Sequence, residues 1–137
     1  MGSIVTGSKE FIKRAHYYRK AYGGGMRQVG ILAAACIFAV ENHFERLSED
    51  HRNARLLAEG LVNLDTFIID LESVQTNIVV TDIEKDSIDA FEIVERLKEN
   101  NILAIPFGSH KIRFVTHLHI SNDDIETCLQ VITSLFK

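Results

Sequence analysis

From Val29 to Val40 the chain carries no charge and no strongly polar side chain. Its alanines and leucine favour a helix, and a helix that is apolar on every side has to be covered on every side. The run predicts a long buried helix over about residues 27–47, charged only from Glu41 onward. Gly30, Ala33, Ala34, Ala35 and Ala39 give it a flat, close-packing surface, suited to lying against a larger body or a second subunit. Immediately before it stand Tyr22, Gly23, Gly24, Gly25, Met26, Arg27 and Gln28. Three glycines open positive φ and close backbone approach, so this segment reads as a tight joint feeding the helix. Two readings of the joint stand side by side. Its amides and the free N–H groups of the helix start can converge beside Arg27 on an anion, a phosphate or a carboxylate. Alternatively it is a plain glycine-rich connection with a surface arginine.

The remaining chain supplies a core of its own. With 137 residues, 46% of them hydrophobic, it has the length and composition of a globular domain. The net charge of −4, without a block of like charge, points away from nucleic acid and anionic membranes and towards a small molecule or a protein as partner. Cys36 and Cys128 both sit in apolar helical runs, with no CxxC and no zinc-like spacing, so they read as buried thiols of an intracellular protein. The first residues lack the basic flank of a signal peptide, and no apolar run reaches the roughly 18 residues of a membrane span. A soluble, cytoplasmic protein is expected.

In chain order, Ile4 to Gly7 resemble the end of a β-strand with no partner nearby in sequence, a hint that more protein belongs upstream. Ser8 is placed to cap a helix over residues 9–21, whose Lys9, Lys13, Arg14, His16, Arg19 and Lys20 oppose Phe11, Ile12, Ala15 and Tyr18. That basic face is either a nucleic-acid surface or a solvated face; no aromatic stacking pattern is interleaved, which favours the latter. Ser48 is expected to cap a further helix ending between Gly60 and Leu64. β-type periodicity then covers Phe67 to Leu71 and Thr76 to Thr81, followed by a helix from Asp86 or Ser87 to a stop at Asn100 and Asn101. Two strands, Ile102 to Ile105 and Lys111 to Thr116, flank a loop that starts at Pro106 and form a hairpin. Ser121 caps the last helix, which turns Ile125, Leu129, Ile132 and Leu135 inward. From residue 66 the pattern is an α/β sandwich, helices on one face of a small, mainly antiparallel sheet.

Few residues carry chemistry. Arg113 alternates with Ile112 and Phe114 and so faces away from them; its fork of donors suits a bidentate grip on a carboxylate, against the alternative of a solvated surface arginine. His117 and His119 are two apart on a strand continuation, a pair two metal ligands can use, but no third ligand is suitably spaced and no metal is expected. No Ser-His-Asp or Cys-His arrangement and no Walker-type phosphate loop can be read.

Several segments together resemble the low-specificity L-threonine aldolases. They are Gly7 to Ile12, Arg19-Lys20, Gly23 to Gln28 leading into Gly30 to Ala35, Glu49 to Ala54, Thr76-Asn77, and Arg113 to Leu118. The resemblance runs from end to end. It implies the C-terminal part of a pyridoxal-phosphate enzyme of the aspartate-aminotransferase-like fold (fold type I). The family cleaves L-threonine and L-allo-threonine to glycine and acetaldehyde, the cofactor acting as electron sink. It further implies that residues 1–26 are a remnant of the large cofactor-binding domain and that 27–137 hold linking helices and the small domain, with the glycine joint as hinge. By the same resemblance the Schiff-base lysine lies upstream, on a segment before Gly2-Ser3-Ile4-Val5, so no catalytic residue is expected here. Arg113 matches the arginine that holds the substrate carboxylate; Lys20 and Arg27 match basic residues that assist the cofactor phosphate or the substrate. A homo-oligomer is implied for the complete enzyme, and an inactive chain when alone. A non-catalytic oligomerisation module derived from the enzyme is the alternative.

Overall fold

The computed structural model describes residues 4–84 and 88–136. Its contacts divide the chain into two compact units, Met1–Glu45 and Arg46–Lys137.

In the first unit, α1 (Lys9–Ala21) begins as the sequence indicates, with the Phe11 amide donating to the Ser8 side chain at 3.2 Å. The strand expected over Ile4 to Gly7 does not form: among the described residues no strand pairs with it, so its amides have no ladder to join. The glycine stretch ends α1 instead of opening the next helix. Gly23 takes φ 78°, its N–H donates to the Lys20 carbonyl at 3.2 Å, and the Gly24 N–H donates to the Arg19 carbonyl at 2.7 Å. This is a left-handed glycine C-cap, and it corrects the anion-binding reading of the joint, because two of those amides point back into their own helix. Tyr18 and Tyr22, one turn apart on this end of α1, stack at 6.1 Å between ring centroids, and Tyr17 meets Tyr18 edge-on at 5.5 Å. An aromatic ladder therefore does lie among the basic residues, contrary to the sequence reading.

Helix α2 (Gly30–His43) is shorter at both ends than expected, and none of its residues is buried. Ile31 is 85% exposed and Val40 68%, so within this chain the predicted burial is not met: the described residues supply no surface that encloses the helix. Cys36 and Cys128 are partly buried and in no disulfide.

The second unit holds α3 (Leu47–Leu61), β1 (Phe67–Ile68), β2 (Ile78–Ile83), α4 (Ala90–Glu99), β3 (Ile105–Pro106), β4 (Lys111–Val115) and α5 (Asn122–Phe136). The sheet order is β1-β2-β4-β3, antiparallel throughout. Val79, Thr81 and Ile83 of β2 and Ile112 and Phe114 of β4 face the helices, where Leu57, Leu61, Ile93, Leu97 and Ile132 close the core. The opposite face carries Ile78, Val80, Ile105 and Val115, all exposed.

Local chemistry sets the boundaries. Ser48 is not the cap of α3; Arg46 holds that place, its guanidinium reaching Glu49 at 3.1 Å and Asp50 at 3.4 Å. The strand expected over 67–71 stops at Ile68, because Asp70 accepts the Glu72 amide at 3.0 Å and starts a 3-10 turn, Leu71–Ser73. The start of α4 expected at Asp86 or Ser87 lies outside the described residues; its N-cap is Asp89, which accepts the Phe91 amide at 2.9 Å. Asn101, at φ 63°, ends it as predicted. Pro106, read as loop, closes β3 at the sheet edge, where its missing N–H costs no ladder bond.

At α5 the Ser121 side chain accepts the Asp124 amide (3.2 Å), and the Asp124 carboxylate accepts the Ser121 amide (2.8 Å) and hydroxyl (2.6 Å). The hydroxyl first and the amide second hold the Asp124 carboxyl below its ordinary 3.8, against a smaller opposing effect of burial. A carboxyl lowered in the folded state contributes stability above its unfolded pKa and loses it as the pH falls through the folded one. Ser121→Ala is therefore expected to flatten the acid limb of the stability curve below pH 3.8, measured by urea unfolding at stepped pH. An unchanged acid limb would mean that this cap does not couple to folding.

Candidate functional site

Arg113 sits where its alternation placed it, on the sheet face away from the helices. In register it lies between Val80 of β2 and Ile105 of β3, side chains of the same face. The residue is half-buried, and its Nε is fully enclosed with no hydrogen-bond partner. A buried donor with no acceptor is a costly arrangement. The same face carries the exposed Val80 and Ile105 and, at the next same-face pair along the ladder, the Lys111–Asp82 ion pair at 2.9 Å.

Behind the strand lies a polar joint that sequence reasoning did not find. Asp50 and Thr116 are almost completely buried, at 5% and 2% exposure. The Thr116 hydroxyl donates to the Asp50 carbonyl at 2.6 Å, its N–H donates to the Asn77 carbonyl at 2.9 Å, and the Asn77 side-chain amide donates to the Thr116 carbonyl at 2.7 Å. Asn53, also buried, donates its Nδ2 to the Ile120 carbonyl at 2.8 Å, while its Oδ1 has no partner. Three segments far apart in the chain, those of Asp50, Asn77 and Thr116, thus meet at one point. The available clue was a threonine at an inward position of an otherwise apolar alternation, Ile112, Phe114, Thr116.

The other candidates are less organised. His117 and His119 lie edge to face at 5.8 Å, and the His119 N–H donates to His117 Nδ1 at 3.3 Å. Among the described residues no group of three or more His, Cys, Asp or Glu is placed to hold a metal ion. Lys20 lies in the last turn of α1 and Arg27 precedes α2; both are exposed residues of the first unit, whereas Arg113 belongs to the second. A cleft of about 420 Å³ lies in the second unit, lined by Leu103, Phe114, His119 and Cys128 among others, but not by Arg113. Burial pushes the Cys128 thiol up to about 11, so it is protonated at neutral pH and no nucleophile. No helix among the described residues is long and apolar enough to cross a membrane.

The implied pyridoxal phosphate needs a lysine shielded from water as its covalent anchor. Lys9, Lys13, Lys20, Lys98 and Lys111 are all exposed, and Lys98 and Lys111 pair with Glu95 at 3.5 Å and Asp82 at 2.9 Å. None of these described lysines fits that role.

Comparison with known proteins adds lineage to this geometry. The beta-eliminating lyase family pattern matches residues 1–84. The probable low-specificity L-threonine aldolase 2 of Arabidopsis thaliana is 39% identical over 137 residues, covering 99% of this chain and 39% of that protein. The low specificity L-threonine aldolase of Escherichia coli K12 is 39% identical over 125 residues, covering 91% of this chain and 35% of its own length. The chain thus spans well under half the length of these relatives. Among solved structures, 8-amino-7-oxononanoate synthase from Francisella tularensis shares the fold at TM-score 0.68 with 19% identity, over 93% of this chain and 39% of that one. Acetylornithine aminotransferase from Elizabethkingia anophelis does so at 0.60 and 23%, over 76% and 27%. With the family pattern matching more than half of its residues, this chain belongs to the beta-eliminating lyase family.

Proposed function

We propose that this chain is the C-terminal part of a threonine aldolase, a pyridoxal-phosphate-dependent lyase that cleaves L-threonine and L-allo-threonine to glycine and acetaldehyde. The observation that carries the proposal is Arg113: a half-buried arginine with an unpartnered Nε on the sheet face away from the helices. Such a group binds and orients an α-carboxylate, fixing one end of an amino acid while chemistry proceeds at the other. Its cross-strand neighbours Val80 and Ile105 flank it on the same sheet face. Lys20 and Arg27 are assigned to assisting the cofactor phosphate or the substrate. Residues 1–26 are assigned to the end of the large domain and 27–137 to the linking helices and small domain. The complete enzyme is a cytoplasmic homo-oligomer in this reading.

The cofactor's anchor is assigned to none of the described lysines, and the chain alone is expected to perform no cleavage. Incubation with pyridoxal phosphate, borohydride reduction and peptide mapping test this. Scattered substoichiometric labelling, with no glycine released from threonine, is expected. A stoichiometric adduct on one lysine, Lys20 first among them, together with threonine cleavage, would overturn it. The exposed apolar residues of α2 favour a second reading, a non-catalytic module that self-associates through that helix. Solution mass against concentration separates it from the first: a discrete dimer without activity in any assembled enzyme supports the module.

A further inference from the structure

The enclosed Nε of Arg113 has no hydrogen-bond partner among the described residues, so its position is inherited from β4. That strand is held unevenly. β2 pairs with it from Ile78 opposite Val115 to Asp82 opposite Lys111, but its other neighbour is the two-residue edge strand β3. Beyond Val115 the ladder ends and the chain turns away through His117. A strand end with so little on one side frays unless something fastens it.

We infer that Thr116, fastened to Asp50 and Asn77, is the positioning residue for Arg113; the inference rests on reading Arg113 as the carboxylate grip. The donor and acceptor groups of Thr116 are engaged. Its hydroxyl ties the strand end to the first turn of α3, and its N–H and carbonyl are both taken by Asn77 at the foot of β2. The hydroxyl also lies 3.4 Å from the Asn77 carbonyl, but one proton serves one strong acceptor, and the 2.6 Å contact to Asp50 is the better. Packing alone does not call for a hydroxyl here. Valine has the same shape and a higher strand propensity, so a buried threonine is explained by the bond it makes. Asp50 lies inside α3, where its carbonyl also takes the i+4 amide of a helix. Removing the hydroxyl therefore orphans no buried group, and Thr116→Val is a clean probe of the tie.

The test is side-chain NMR of the full chain labelled with nitrogen-15. In the unchanged protein the enclosed Arg113 Nε–H is expected to give a rigid, slowly exchanging signal. Thr116→Val is expected to speed its exchange by about five- to tenfold, in line with the loss of one hydrogen bond, with Thr116→Ser restoring it. Amides of α4 and α5 keep their protection throughout. A fall in melting temperature with the Arg113 signal unchanged would overturn the inference, because Thr116 would then be structural only. Should Thr116→Val not fold, Asn77→Ala, which cuts the tie from the other side, gives the same readout. Glycine titration separates the two layers: no response of the unchanged chain removes the carboxylate reading, while the exchange data alone decide the tie.

Discussion

Arg113→Met should make the protein more stable and abolish the carboxylate binding proposed for it. Methionine keeps the apolar stem against Val80 and Ile105 and removes a buried donor that has no acceptor. An unsatisfied buried donor costs about 1–3 kcal/mol, and the low end applies because the residue is only half-buried, so a gain of about 1 kcal/mol is expected. Binding moves the opposite way. Glycine or L-threonine titrated against the backbone amides of Val80 and Ile105 should shift them in the unchanged chain and not in Arg113→Met. Arg113→Lys keeps the charge but loses the fork, and should bind at least about tenfold more weakly. Opposite signs for stability and binding are the mark of a site that stores strain for a ligand. A methionine variant that is less stable by a kilocalorie or more would show that the guanidinium is holding the sheet together and that its carboxylate role is mistaken.

The pattern of the sequence revealed those parts of the fold where one residue decides a local geometry. Ser8, Asn101 and Ser121 each set a helix end through a side chain or a tolerated left-handed φ, and each was readable. Arg113 was readable too, since strand alternation fixes which face a residue takes. What failed were judgements that depend on what lies across from a segment. Ile4 to Gly7 have strand-forming residues, yet no strand pairs with them among those described. The glycines at 23–25 had two helices to serve, and the hydrogen bonds of Gly23 and Gly24 went to the one before them. The joint of Asp50, Asn77 and Thr116 could not be seen by periodicity at all, because it is made by residues from three elements whose approach only the fold determines. The resemblance had already gathered these three segments as motifs, without saying that they touch.

Helix α3 passes through Gly60 and ends at Leu61, within the Gly60 to Leu64 span expected, and the role of the glycine lies in packing. A Cβ built there would sit 2.9 Å from Leu129 Cγ and closer still to both of its methyl groups, on the facing helix α5. Two effects compete in Gly60→Ala. Alanine improves a helix interior by about 1 kcal/mol, whereas forcing a methyl into a filled contact costs about 1–3 kcal/mol. The overlap reaches Cγ, not only the ends of the leucine, so rotation of its methyl groups does not clear it and α3 and α5 have to move apart. A net loss of about 1 kcal/mol is expected for Gly60→Ala, and of more than about 3 kcal/mol for Gly60→Leu, the largest effect of any single change considered for this unit. Urea unfolding followed at the amides of Val79 and Ile112 reads the change in the second unit alone. The cause is isolated by pairing the change with Leu129→Ala. That variant creates a gap costing about 2 kcal/mol, into which the new methyl fits, so Gly60→Ala should become neutral or stabilising in its presence. If the two losses simply add, the glycine is not there for Leu129, and the close approach of α3 to α5 has another origin.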